Sequence, residues 1–96
     1  MRQLKLTKQA FNELEEIKRY SVVNWGNAQA AKYLKKLKDT FELIQINPEV
    51  GQPGLLNWPQ IYRLPVQSHM VYYQFDDQEV FVMAVLHQSM LPENHL

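Results

Sequence analysis

The sequence predicts an α+β domain in the order strand, helix, helix, strand, strand, strand, with a helical hairpin packed on a small antiparallel sheet. Three observations carry this. Apolar residues recur every three or four positions from residue 8 to about residue 46, residues 48–59 break the pattern with Pro48, Gly51, Pro53, Gly54 and Pro59, and the apolar period then drops to two.

Leu4 and Leu6 bracket Lys5, an alternation that reads as a short first strand. Thr7 offers a hydroxyl to the first free N–H groups of the helix behind it. Ala10, Phe11, Leu14, Ile17 and Tyr20 then form the apolar stripe of a first helix. The β-branched pair Val22–Val23 weakens its end, and Gly26 is a natural left-handed stop. Ala30, Leu34, Leu37, Phe41 and Ile44 give a second seam spaced by four, three, four and three, with Lys32, Lys35, Lys36 and Lys38 off it. Asn47–Pro48 ends that helix, because proline disfavours helical backbone in the residue before it. The short turn at Gly26 makes the two helices an antiparallel hairpin.

Residues 48–59 read as an irregular connection whose Leu55, Leu56 and Trp58 fold back on the core. Tyr62, Leu64 and Val66 alternate in the next strand, where Pro65 favours an edge or a bulge. His69, Val71, Tyr73 and Phe75 alternate in another, and Asp76–Asp77–Gln78 is a turn. The last strand sets Val80, Val82, Ala84 and Leu86 opposite Phe81, Met83 and Val85, so it is expected inside the sheet and covered on both faces. The tail from His87 to Leu96, which contains Pro92, is expected to be loose or partner-dependent.

Ninety-six residues, 46% apolar and 21% charged, are ordinary for one folded domain spanning residues 1–96. The absence of cysteine excludes disulfides and thiolate chemistry. With no signal peptide and no long apolar run, a soluble, cytoplasmic protein without membrane contact is expected. The net charge of zero hides a polarity. Residues 1–40 hold nine bases against four acids, and residues 41–96 hold Arg63 against six acids. A basic first half suits an acidic partner or nucleic acid, although basic helix faces are more commonly solvated surface.

Standard catalytic patterns are missing. No Gly-rich phosphate loop occurs, no cofactor is implied, and His69, His87 and His95 lack metal-ligand spacing, so no metal site is expected. Ser68 and His69 are strand neighbours and point to opposite faces, which excludes a nucleophile–base pair. The constellation left to weigh is Arg63, His69, Tyr73 and His87 on the sheet. Arg and His could in principle steady and protonate an RNA phosphodiester. RNA cleavage calls for several cations near the site, and Arg63 is the only base after residue 40. Sheet-face hydrogen bonding or a binding role is the better expectation, and the protein is read as not an enzyme.

Trp25–Gly26, Gln29–Ala30 and Tyr33–Leu34 resemble the helical hairpin of ParE toxins in the wider RelE/ParE superfamily. Leu37, Phe41, Asn47–Pro48 and Gly51 resemble that family's second helix and its exit. Arg63, His69 and Tyr73 resemble its spaced Arg, His and Tyr on the middle strands, and Val85–Leu86–His87, Met90 and His95–Leu96 its closing strand and tail. Each motif alone is unspecific; their order and spacing over nearly the whole chain are specific. One departure is Leu91, at a place where ParE sequences often carry an acid directly after the methionine. The resemblance implies a toxin of a type II toxin–antitoxin pair that inhibits DNA gyrase by direct binding and is silenced by a cognate antitoxin in a hetero-oligomer. Sequence-specific nucleic-acid binding is not expected. The target-binding residues it implies are His87, Met90, Leu91, His95, Leu96 and Arg63. RelE relatives instead cut mRNA on the ribosome, so a ribosome-dependent endonuclease, or an inactive binding module of the same fold, is the alternative. The antitoxin segment is expected to order on binding over the helical hairpin and a sheet edge.

Overall fold

A computed structural model describes residues 1–55 and 58–96 of the chain. The elements are β1 (Gln3–Leu6), α1 (Lys8–Trp25), α2 (Asn27–Ile46), β2 (Gln52–Leu55), β3 (Trp58–Val66), β4 (His69–Phe75) and β5 (Glu79–His87). The α+β class and the helical hairpin stand as predicted. Two features are added. The connection after α2 is a 3-10 turn at Pro48–Val50 followed by the strand β2, so the sheet has five strands in the order β1-β5-β4-β3-β2. The sheet is also mixed, because β1 runs parallel to β5, pairing Leu4 with Val80 and Leu6 with Val82. No helix among the described residues is long and apolar enough to cross a membrane.

Thr7 caps α1 as predicted: its Oγ1 accepts the Ala10 N–H at 3.0 Å. The same hydroxyl donates to the Met83 carbonyl at 2.8 Å, so one side chain starts the helix and fastens it to β5. The buried stripe of α1 is Ala10, Ile17 and Ser21, with Leu14 partly buried. Phe11 and Tyr20, expected in that stripe, are 53% and 54% exposed. Ser21 takes the inward position because its Oγ donates to the Ile17 carbonyl, which satisfies the hydroxyl inside the helix. Gly26 ends α1 at positive φ as expected, but with an extended ψ of 167° instead of a left-handed helical one. In α2, Ala30, Leu37 and Ile44 are buried, with Leu34 and Phe41 packed at their side. Tyr33 joins them, buried although off the predicted seam.

Both helices lie on one face of the sheet. Leu37, Ile44 and Ile17 meet Val66, Val71, Tyr73, Val80, Val82 and Val85 there. The opposite face carries a smaller cluster of Ile61, Tyr72, Ala84 and Leu86, with Trp58, Met70 and Leu96 against it. β5 lies inside the sheet and is covered on both faces, as its apolar run predicts. Its alternation is not the expected one. Tyr72 pairs with Ala84 but Tyr73 with Val82, which leaves Met83 as an extra residue, a β-bulge. The bulge turns Val85 to the helices and Ala84 and Leu86 away, so Val80, Val82, Ala84 and Leu86 do not share a face.

Pro65 lies on the part of β3 that β2 does not reach, since the β2 register ends at Arg63. A missing N–H is harmless there. Trp58 does pack on a core cluster, the one on the sheet's far face. The side chain of Leu55 and the whole of Leu56 lie outside the described residues.

Tyr73 is fully buried, and its hydroxyl donates to the Pro48 carbonyl at 2.6 Å while accepting the Gly51 N–H at 3.0 Å. Burial pushes its phenol pKa up, opposed by the Gly51 hydrogen bond. A single ring thereby fixes the path from α2 into β2. A Cβ at Gly51 would collide with the Tyr73 hydroxyl and sit 2.9 Å from the Arg63 carbonyl oxygen, so only glycine fits. Gly51→Ala is expected to cost about 1–3 kcal/mol, the usual cost of overpacking. An unchanged urea midpoint would contradict this close approach.

Candidate functional site

The end of the sheet beside the Gly26 turn holds a cleft of about 470 Å³ between α1, the start of β4 and the end of β5. Its walls include Glu13, Glu16, Tyr20 and Trp25 from the hairpin, Ser68 from the turn before β4, His69 from its start, and His87, Ser89 and Met90 from the end of β5 and beyond. Ser68 and His69 share this cleft instead of pointing to opposite faces as expected. The register of β4 on β5 places His69 directly opposite His87, and their rings meet edge to face at 5.5 Å. Rings continue from there without a gap. Tyr33 lies 5.6 Å from His69, Trp25 stacks on Tyr33 at 5.6 Å and 23°, and Tyr20 meets Trp25 at 5.9 Å. Trp25 and Tyr20 are about half exposed and line the cleft with the two histidines, while Tyr33 is buried between Trp25 and His69.

Each histidine is held by a hydroxyl. The Tyr33 hydroxyl hydrogen-bonds His69 Nδ1, and it lies 3.4 Å from both the Val66 carbonyl oxygen and Ser68 Oγ. His87 Nδ1 accepts the Ser89 N–H at 3.2 Å and lies 2.8 Å from Ser89 Oγ, which leaves the neutral ring's proton on Nε2. Burial, and after it the charge of His87, hold His69 below the ordinary histidine pKa of 6.5. Across the cleft, Glu13 Oε1 accepts the Val85 N–H at 2.8 Å, so this carboxylate covers the edge of β5 that β1 does not reach. Glu16 pairs with the exposed Arg19 on its own helix, and that hydrogen bond and charge lower its pKa.

The lowered pKa of His69 fixes a sign. The unfolded chain binds a proton at this position more readily than the folded one, so the stability tied to His69 is complete above about pH 6.5 and declines as pH falls through the folded value. His69→Gln is expected to flatten the decline of the urea midpoint between about pH 7 and pH 5. An equal decline in both proteins would contradict it.

The four residues weighed together on sequence grounds do not form one site. Only His69 and His87 meet. Tyr73 is locked under the helices. Arg63 pairs in register with Tyr72 and shares the parity of Ile61, which puts it on the sheet face away from the helices. There burial pushes the Tyr72 phenol pKa up, and the Arg63 charge opposes that rise. Among the described residues, no group of three or more His, Asp and Glu is placed to hold a metal ion.

The tail is not loose. It folds through a 3-10 turn at Pro92–Asn94, Gln9 Nε2 donates to the His95 carbonyl at 2.7 Å, and Leu96 packs on the far-face cluster. These contacts were not visible locally, because their partners lie 86 residues away on α1 and across the sheet. The expected target-binding residues therefore divide. His87 and Met90 line the cleft, Leu91 is 57% exposed next to it, the His95 side chain is exposed, and Leu96 and Arg63 lie on the far face. Glu13, Tyr20, Trp25 and Tyr33 were missed as site residues. Trp25 and Tyr33 flank the Gly26 turn in sequence, a signal that could have placed both near one end of the hairpin.

Two solved structures share this frame. A chromosomal ParDE toxin–antitoxin system from P. aeruginosa superposes with a TM-score of 0.75 at 19% identity, covering 91% of this chain and 96% of that one. A YoeB/ParE toxin from Agrobacterium tumefaciens superposes at 0.69 with 15% identity, covering 88% and 96%. A helical hairpin on a five-stranded mixed sheet, closing on a tail that folds back, thus defines a protein with the fold of the ParE and YoeB toxins. Residues 4–92 match the family described as the ParE toxin of the type II toxin–antitoxin system parDE. Toxin ParE1 of Caulobacter vibrioides is 36% identical over 96 residues, 100% of this chain and 99% of that protein. The chain belongs to the ParE toxin family of type II toxin–antitoxin systems.

Proposed function

We propose that the protein stops growth by binding DNA gyrase, and that a cognate antitoxin neutralises it within a hetero-oligomer. The observation that carries the binding reading is the lining of the cleft. Its histidine pair faces Glu13 and the Arg19-paired Glu16, and among the described residues no Lys or Arg lines it. Such a lining offers an RNA phosphate no lysine or arginine, and a phosphorane formed there would have neither to stabilise it. Exposed rings and a methionine suit an apolar side chain of a protein target instead. Target contact is assigned to the rim formed by His87, Met90 and Leu91. His95, exposed on the tail, and Leu96 and Arg63, on the opposite face of the sheet, are assigned to a second patch of target contact.

One observation favours the endonuclease reading: two histidines directly opposite each other on β4 and β5 are the acid–base equipment such a reaction uses. The order of events in cells separates the two. On induction, DNA synthesis is expected to stop before protein synthesis. Translation stopping first, with DNA synthesis continuing, would overturn the gyrase reading in favour of the endonuclease.

A further inference from the structure

A second groove, of about 540 Å³, lies on the other side of Trp25, between α2 and the turn joining β3 to β4. Trp25 and Tyr33 form its floor, Gln67 and Ser68 one wall, and Gln29, Lys32, Lys35, Lys36 and Asp39 the other. Gln29, Lys32 and Lys36 stand three and four residues apart, one ridge of α2. Lys35 is paired with Asp39 at 3.0 Å. Lys32 and Lys36 form no ion pair among the described residues. The groove thus presents two free ammonium groups beside an exposed indole, on the half of the chain that carries the positive charge.

We infer that this groove seats a short acidic stretch of the antitoxin, with carboxylates on Lys32 and Lys36 and one apolar side chain against Trp25. The inference rests on the toxin–antitoxin reading above and adds the place and chemistry of the contact. At about 1.5 Å of rise per residue, Gln29 to Lys36 spans about 10 Å. That is the reach of about three extended residues. Nucleic acid is the less suitable occupant. A longer polyanion leaving the groove past Trp25 meets Glu13 and Glu16 in the adjoining cleft, and two free lysines neutralise only a short run of charge. Trp25 and Ser68 line both hollows, so a peptide seated in the groove holds one wall of the cleft. Neutralisation would then reach the target surface without covering all of it.

The test uses the toxin with the double reversal Lys32→Glu and Lys36→Glu, co-expressed with a candidate antitoxin taken from the short reading frames beside its gene. Neutralisation of the unaltered toxin establishes the pair. If that antitoxin fails to neutralise the unaltered toxin, the pairing is wrong and the inference falls with it. With the pair established, the double variant is expected to stop growth as the unaltered toxin does and to escape the antitoxin, its affinity reduced at least about tenfold. Reversing Lys8 and Lys18 on α1 is expected to change neither. Neutralisation of the Lys32/Lys36 variant at the unaltered affinity would overturn the inference. Binding of a labelled oligothymidine that is lost in the same variant would overturn it in favour of nucleic acid. In a Trp58→Phe background the remaining indole emission should shift when antitoxin is added, and an unmoved spectrum would contradict the seating against Trp25.

Discussion

Replacing Leu37 with alanine is expected to lower the stability of the domain by about 2–5 kcal/mol, the range for buried leucine truncations. Leu37 is only 2% exposed and joins α2 to the cluster formed by the inward faces of β4 and β5. The cluster it belongs to includes Val71, Val80, Val82 and Val85 of the interior strands β4 and β5, whose close-packed side chains do not collapse readily into the space left behind. Its sequence neighbour Lys36 is exposed, and Lys36→Ala is expected to change stability by less than about 0.5 kcal/mol. Equal losses from the two in urea melts would mean that α2 is rotated from the orientation described above.

The largest functional effect is expected at the rim of the histidine cleft. Met90 and Leu91 are 45% and 57% exposed, and neither belongs to a core cluster. Their joint replacement by serine should leave the melting temperature nearly unchanged and abolish growth inhibition. Apolar anchors at a chain end insert into a partner's hollow, and their loss removes most of the binding energy of a small contact. Deleting residues 88–96 is a less clean experiment, because it also strips Leu96 from the far-face cluster and the His95 carbonyl from Gln9. Full toxicity of the stably folded double serine variant would remove the tail from the target surface.

The helices were legible because their apolar period extends over nearly forty residues. The precise face of α1 was not. Residues spaced by three and four admit two adjacent stripes, and the choice between them turned on Ser21, a polar residue whose hydroxyl bonds within the helix. Strand β2 was hidden by Pro53 and Gly54, and the parallel pairing of β1 by the distance in sequence to β5. The bulge at Met83 left no mark, since β5 is apolar on both faces and reads alike in either register. The separation of Arg63 from His69 was readable in principle. Arg63 alternates against Tyr62 and Leu64, which share the helix-facing side with Val66, while His69 shares its side with Val71 and Tyr73. The meeting of His69 and His87 depended on the register of β4 on β5, which begins only after the Asp76 turn. That turn is held by Asp76 Oδ1, which accepts the N–H groups of Gln78 and Glu79 and has its pKa lowered by them.

The central claim is that this family member acts by binding gyrase and not by cutting RNA. The most direct measurement sets purified protein against gyrase supercoiling and against translation in a cell-free extract, side by side. Inhibited supercoiling, or gyrase trapped on cut DNA, with translation running, is the predicted result. Blocked translation with supercoiling untouched would contradict the account.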